Sequence, residues 1–312
     1  MSYEKSRLTK AEAVLGKVVA ADNGAALWLE ERRRVQAGEL DDRPLYWRRL
    51  TLPDDPTWLA NSRNYQPVFR HDVDFRVLVT GFDPFNLDEH IDQSNPSGVI
   101  ALSLDQVALE SEGKTAEIRS LIVPVRFADF DRGLIERLIE PVLDTLDLLL
   151  TLSMGRVRID LERFPGLRRS SGRRDNDSLL GGGSERVPVI PPGLIGPEFV
   201  EFSLPAEIMR EAPGDFEIAD NRTVTTLEDG EIMIDNLDAL ADQRSVQGSG
   251  GGYLSNEISY RAIRKVAGRF SVGHIHTPSI TGFEPVKIRK IVDQVTKMIV
   301  VAIGTLPGNR HA

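Results

Sequence analysis

The chain has 312 residues, 41% of them hydrophobic and 27% charged, the ordinary balance of a soluble globular protein. A net charge of −9 argues against nucleic acid or an anionic membrane as the main partner, and the basic stretch "RRSSGRR" (168–174) is only a local cluster. The absence of cysteine excludes disulfides, thiolate metal sites and thiol catalysis. No apolar run approaches the roughly 18 residues of a membrane span, and "MSYEKSRLTK" lacks the apolar core of a signal peptide, so a cytoplasmic location is expected.

In chain order, residues 1–72 differ from the rest. Residues 9–37 read as helix, with Thr9 as the expected cap. "DDRPLYWRRLTLPDDPTW" (41–58) reads as an irregular segment anchored by Tyr46, Trp47 and Trp58. About 70 residues with few strand signals would bury little core alone. Residues 1–72 are therefore read as an accessory extension packed on a main domain of 73–312.

From Phe75 onward, strand and helix signals alternate. "FRVLVTGF" (75–82), "TAEIRSLIVPV" (115–125) and "DLLLTLS" (147–153) have the form of buried strands. Helical stretches follow at 97–109 and 130–146. Further strands are expected at "FVEFSLP" (199–205), "SVQGSG" (245–250) and "FSVGHIHTP" (270–278), with helices after Asn256 and near 284–303. Segments 168–197 and 220–243 read as a long loop and a hairpin-like insertion. This alternation predicts an α/β fold: a three-layer α/β/α sandwich around an open, mixed, mostly parallel sheet. Ligands in such sheets gather at the carboxyl ends of strands, where Gly81, Ser153, Gly248 and His276 fall.

The stretch "GSGGGYLSNEISYRAI" (248–263) delivers Ser255 from a glycine-rich turn onto a helix N-terminus. That position suits a nucleophile, and it equally suits a helix cap. A hydroxyl nucleophile needs a base and an orienting acid. Of the five histidines (71, 90, 274, 276 and 311), only His274 and His276 fall at a strand end, on one face. Glu162 in "GRVRIDLER" (155–163) is the candidate acid, with a surface helix start as the alternative reading. The glycines do not form GxGxxG and no Walker motif exists, so no cofactor is expected. Histidines two apart raise the question of a metal, but no carboxylate neighbours them in sequence, and none is expected.

Four segments, in order, resemble pyroglutamyl peptidase I over roughly residues 75–303. "VLVTGFDPFNLDEHIDQSNPSG" (77–98) looks like that family's opening strand and TGF-[ED]-PF…NPS loop. "GRVRIDLER" looks like the segment carrying its catalytic glutamate, which implies Glu162. "SGGGYLSNEISY" (249–260) looks like its nucleophile motif, with Ser255 where the family has cysteine. "GHIHTP" (273–278) looks like its F-[IV]-HVP motif, which implies His276 rather than His274.

The resemblance implies a Ser255–His276–Glu162 triad in a pyroglutamyl-peptidase-like amide hydrolase, with Phe82 and Phe85 as aromatic pocket walls. "TLSMGR" (151–156) replaces the family's GQAGGR, so Leu152 stands where a substrate-reading glutamine is implied, and weak turnover of simple pyroglutamyl amides is expected. Arg173 or Arg174 in "RRDN" (173–176) is the implied oxyanion arginine. The expected partner is a small peptide or amide substrate, with no nucleic acid and no membrane; self-association into a homo-oligomer is compatible with this reading. The alternative is an inactive homologue that kept the pocket as a binding or scaffold protein.

Overall fold

A computed structural model describes residues 3–308; His311 lies outside them. The extension contributes helices α1 (Tyr3–Ser6), α2 (Leu8–Leu15), α3 (Gly24–Arg34), α4 (Arg43–Arg49) and α5 (Pro56–Asn61). Then follow β1 (Phe75–Phe82), α6 (Pro96–Leu104), β2 (Ala108–Ser111), β3 (Lys114–Val123), α7 (Phe127–Asp131), α8 (Leu134–Ile139), β4 (Leu148–Met154) and β5 (Ile159–Glu162). The last part holds α9 (Ala206–Arg210), β6 (Ile218–Asn221), β7 (Thr223–Thr226), β8 (Gly230–Met233), β9 (Ser245–Gln247), α10 (Leu254–Val266), β10 (Ser271–Thr277) and α11 (Pro285–Gly304).

Seven strands form one sheet in the order β2-β3-β1-β4-β10-β5-β6. Its centre, β3-β1-β4-β10, is parallel. β2 and β5 run antiparallel to their inner neighbours, and β6 runs parallel to β5. The fold is thus α/β with an open, mixed, mostly parallel sheet covered by helices on both faces. The pleat sorts the apolar strands between two cores. Leu148, Leu150 and Leu152 of β4 face α6, α11 and the extension. Leu149, with Leu78 and Val272 of the neighbouring strands, faces α8 and α10. Helix α10 packs by Leu254, Ile258, Ala262 and Val266, a strict four-residue spacing that makes one stripe. Among the described residues, no helix is long and apolar enough to cross a membrane.

Several sequence expectations shift. The 9–37 helix is two helices, and Asn23, not Thr9, caps the second by accepting from the N–H groups of Ala25 and Ala26 at 2.8 and 3.1 Å. The helix expected over 97–109 ends at Leu104, and Ala108–Ser111 pairs with β3 instead. The one over 130–146 is broken at Gly133, which takes φ 70°, a left-handed value that glycine adopts without strain. Residues 199–205 make no strand. Their amides reach three different partners, the carbonyls of Pro165, Arg163 and Val272, rather than one ladder. Residues 245–247 are β9, which belongs to a separate three-stranded sheet, β8-β7-β9.

The extension is tied to the loop after β1 by buried charge. Asp83 sits between two arginines of the extension: Arg49 Nη1 donates to Oδ1 at 2.7 Å, and Arg63 Nη1 lies 2.7 Å from Oδ2 as an ion pair without hydrogen-bond geometry. All three side chains are buried. Burial, then the neighbouring Arg63 cation, lowers the Arg49 pKa, so this one carboxylate compensates both guanidiniums. Asp42 is also buried, accepting from Ser94 Oγ at 2.6 Å and from the Asn95 N–H at 3.1 Å. Among the described residues no cation pairs with it, and burial pushes its pKa up to about 8 against the Ser94 hydrogen bond.

Asp83→Asn leaves both arginines buried without a counter-charge. It is expected to lower unfolding free energy by about 3–5 kcal/mol in urea titration. Adding Arg49→Met to that variant should recover part of the loss; a further loss of similar size would contradict the clamp.

Candidate active site

The sheet brings the candidate residues to the face covered by α10. In parallel register His274 pairs with Thr151 and His276 with Ser153. In antiparallel register Leu161 pairs with Ile275 and Asp160 with His276. Glu162 therefore falls beyond Asp160 on the same face and reaches diagonally to His276. His276 Nδ1 and Glu162 Oε1 are 2.5 Å apart. Glu162 is fully buried, and its Oε2 accepts from Asn221 Nδ2 at 2.8 Å. Asn221 ends β6, beside β5, and also donates to the Ser249 carbonyl at 2.9 Å. Both carboxylate oxygens are thus engaged, which fixes the plane of the acid. Gly155 lies against the His276 ring, where a Cβ would come within 2.6 Å of the His276 Cβ. Glu162 is on a strand, not at a helix start.

Ser255 stands in the first turn of α10, and it is not the cap. The cap position is Tyr253, which makes no side-chain capping bond. Ser255 Oγ donates to the Gly250 carbonyl at 3.2 Å. Among the described residues, neither Ser255 Oγ nor its backbone bonds to His276, and His276 Nε2 has no hydrogen-bond partner. The structure thus brings His276 and Glu162 together and leaves the Ser255–His276 link unmade. Asn256 locks the helix start in place: it accepts from the Gly166 N–H at 2.9 Å and donates to the Gly166 carbonyl at 2.7 Å. Gly248 packs against this amide so closely that a Cβ would overlap Asn256 Oδ1.

A cavity of about 30 Å³ lies beside Ser255, lined by Phe82, Phe85, Ser153, Tyr253 and Leu254. Phe85 and Tyr253 are its half-buried walls. The Tyr253 hydroxyl donates to the Arg174 carbonyl at 3.0 Å, and burial followed by the Asp175 carboxylate raises its pKa, so the phenol stays protonated. Asn176 anchors the same loop to the Pro84 carbonyl at 2.9 Å.

Two expectations do not fit this geometry, those for Leu152 and for the Arg173/Arg174 pair. Leu152 is fully buried in the opposite core, because β4 alternates, so it does not line the cavity; Ser153 does. Arg173 and Arg174 are exposed, and Arg174 Nη1 is spent on the Ser178 carbonyl at 2.6 Å. A buried arginine of the same 168–174 stretch is Arg169, paired with Glu257 of α10 and with Asp131. His274 is no spare base. Both ring nitrogens lie 2.8 Å from hydroxyls, Nδ1 from Thr151 and Nε2 from Ser153. Burial, and then the adjacent His276, holds its pKa well below the ordinary imidazole value. Sequence reasoning placed Ser153 at the carboxyl end of a strand without giving it a role, and missed Tyr253 and Asn221. The pleat of β4 could have pointed to Ser153; nothing in the sequence marks Asn221, whose part depends on β6 lying beside β5.

A family model described as "PA0049, C-terminal domain" matches residues 76–207. The uncharacterized protein PA0049 of Pseudomonas aeruginosa is 28% identical over 165 residues, covering 39% of this chain and 30% of that protein. The chain therefore matches under a third of that relative's length. Two single-residue variants of pyrrolidone carboxyl peptidase from the hyperthermophile Pyrococcus furiosus superimpose with TM-scores of 0.53 and 0.51, each 22% identical, over 74% of this chain and 100% of theirs. At that identity the likeness is one of fold: this chain shares the α/β architecture of those peptidases.

In the unfolded chain His274 would titrate near 6.5, while in the native state it stays neutral. Its contribution to stability is therefore present above pH 6.5 and lost as pH falls below it. Between pH 7.5 and 5.5 the native protein is expected to lose about 1.4 kcal/mol relative to His274→Leu in paired urea titrations. Parallel pH dependence in the two proteins would contradict a buried neutral imidazole.

Proposed function

We propose that this protein is a pyroglutamyl-peptidase-like amide hydrolase in which Ser255 is the nucleophile, His276 the general base and then acid, and Glu162 the carboxylate that orients the base. The observation that carries the reading is the buried Glu162–His276 pair at 2.5 Å, set on the sheet face that α10 covers. Oriented by Glu162 through Nδ1, the imidazole keeps Nε2 for proton transfer. Turning the Ser255 hydroxyl away from the Gly250 carbonyl releases it toward His276. Catalytic hydrogen bonds are often unmade before substrate binds.

The steps then balance. Ser255 Oγ bonds to the substrate carbonyl carbon as its proton passes to His276 Nε2. The oxyanion that forms faces the unpaired N–H groups of the first turn of α10, a helix start without a side-chain cap. His276 returns the proton to the leaving nitrogen, the C–N bond breaks, and an acyl ester remains on Ser255. Water, deprotonated by the same imidazole, adds to the ester carbonyl; the C–O bond to Ser255 breaks, His276 returns the proton to Ser255 Oγ, and the carboxylic acid leaves. A serine cannot ionise in advance as a thiol can, so this route depends on the carboxylate behind the base. The aromatic cavity suits a compact acyl group, which enters once Phe85 and Tyr253 move aside. The second reading, an inactive binding protein, is favoured by one observation: the Ser255 hydroxyl is engaged with Gly250 rather than His276.

Fluorophosphonate labelling tests the first reading. Native protein is expected to take up the probe at Ser255, with Ser255→Ala unlabelled and Glu162→Gln slowed by about 10²–10⁴-fold. An unlabelled native protein under conditions that label a control serine hydrolase would exclude the nucleophile. Ser255→Cys separates the two histories of the site. On a serine hydrolase it should lower turnover of amide substrates, because base and oxyanion donors are matched to oxygen. A clear gain on pyroglutamyl amides would instead mark a site built for sulfur.

A further inference from the structure

Two loops line the cavity beside Ser255 and a third braces its wall. The loop after β1 carries Phe85 and Asn95, and the loop after β3 carries Val125. The 168–178 loop holds the Tyr253 hydroxyl through the Arg174 carbonyl. Asn176 stitches the three together: its N–H donates to the Val125 carbonyl and its Nδ2 to the Pro84 carbonyl, both at 2.9 Å. Residues 3–7 of the extension bond to all three loops. Arg7 Nη1 donates to the Asn176 carbonyl at 2.7 Å, while its Nε and Nη2 each reach an oxygen of Asp88, in the first loop, at 2.8 Å. Glu4 accepts from the Tyr46 hydroxyl of α4 at 2.9 Å and from Arg126 Nη1, next to Val125, at 3.3 Å. Glu4 and Arg7 are both buried.

This segment is held differently from the helix that follows it. α2 is anchored by apolar packing, with Leu8, Ala11 and Leu15 set among Tyr46, Trp47, Leu87 and Ile91. Glu4 and Arg7 bring a carboxylate and a guanidinium instead, and the Tyr3 hydroxyl adds a bond to Asp88 at 3.1 Å. The forked Arg7–Asp88 pair is directional and strong among polar contacts. Asp88 lies at the surface, so water can take the place of arginine there when the segment lifts. A terminal segment tied down by polar bonds detaches at a lower free energy than core elements unfold.

The cavity needs such a release. At about 30 Å³ it is far smaller than the about 300–1,000 Å³ of ordinary ligand clefts, so its walls must part before a ligand reaches Ser255. Arg7 ties the loop of Phe85 to the loop that braces Tyr253, and Glu4 ties the loop of Val125 to α4. Taking the cavity as part of the active site proposed above, we propose that residues 3–7 are an autoinhibitory latch. Seated, they hold the three loops together and keep Ser255 closed off; lifted, they let the loops separate. Glu4 and Arg7 touch no reacting atom, so the latch governs access to the site and leaves its chemistry alone.

The test reads access rather than turnover. The chain has no cysteine, so Ser255→Cys in the full-length protein supplies a single thiol, whose alkylation by iodoacetamide is followed by mass spectrometry. Adding Arg7→Met removes the bonds to Asp88 and Asn176 and is expected to speed alkylation at least about tenfold. Asp88→Asn is the second variant. It leaves residues 3–7 and the cavity lining unaltered, and is expected to give a rise of about threefold or more. Circular dichroism confirms folding of each. Val295→Cys, made separately in the core on the other face of the sheet, reports global opening, and Arg7→Met should leave its alkylation unchanged. Alkylation at position 255 that either substitution leaves unchanged, or that rises only in step with the Val295→Cys thiol, would overturn the latch. Faster alkylation with Arg7→Met, in a protein whose Ser255 takes no fluorophosphonate with or without that substitution, would sink the hydrolase and leave the latch standing. Fluorophosphonate uptake at one rate in both, with alkylation also unchanged, would do the reverse.

Discussion

The two-residue period of the pleated strand is the constraint on which this site rests. Along β4, Leu148, Leu150 and Leu152 enter one core, while Thr151 and Ser153 face α10. Along β10, Ile275 joins the first core, and His274 and His276 face the second side. β5 enters antiparallel with Ile159 and Leu161 inward, which sends Glu162 to the histidines. A slip of one residue in β10 would place Ile275 beside Glu162 and bury His276 among leucines and isoleucines. The apolar half of each strand therefore specifies the register that the polar half requires. The core and the site are two sides of one alternation.

Two buried aspartates show how partners decide the state of a carboxyl group. Asp83 has two guanidiniums within ion-pair distance and holds extension and first loop together. Asp42 has a hydroxyl and an amide but no cation, and its burial favours the protonated form. Both act on the segment from Asp83 to Asn95, which carries the aromatic wall Phe85 and the lining residue Asn95. The extension also reaches the next loops, through Arg7 to Asp88 and to the Asn176 carbonyl. Its Leu27, Trp28, Val35 and Leu45 share the core of β1, β4 and α11. Residues 3–72 thus buttress the cavity walls as well as covering the sheet.

Long, strongly patterned elements were legible in the sequence. β1 spans the apolar run 75–82 as read, and β4, β10 and α11 lie within a residue of their expected positions. Apolar runs with abrupt ends announce themselves because burial on both faces needs them. The short pieces were not legible. β5 and β6 have four residues each, and they exist through pairing with neighbours rather than through their own pattern. The 199–205 run reads as a strand because it alternates aromatic and aliphatic residues with polar ones, yet its amides serve three partners. Ser255, His276 and Glu162 could be singled out because each stood in a distinctive local motif. Leu152 was misread because matching letters in a motif says nothing of which face a side chain takes. Ser153 stood out only as the end of a strand, because its face too depends on the pleat.

The two histidines of "GHIHTP" divide their work by what faces them. Their rings meet edge to face at 4.9 Å, so one protein environment serves both. His274 faces two hydroxyls and no acid, and burial keeps it neutral. His276 faces Glu162, whose own position is held by Asn221 from β6. A serine nucleophile needs a base that can accept a proton during attack and hold it in a dry site, and a carboxylate on the far nitrogen provides that stabilisation. The neighbouring ring must then stay uncharged, because a second cation 4.9 Å away would oppose the first. Hydroxyls rather than carboxylates around His274 satisfy that condition. Thr151, His274 and Ser153 thus make one hydrogen-bonded chain without a charged partner beside the His276–Glu162 pair.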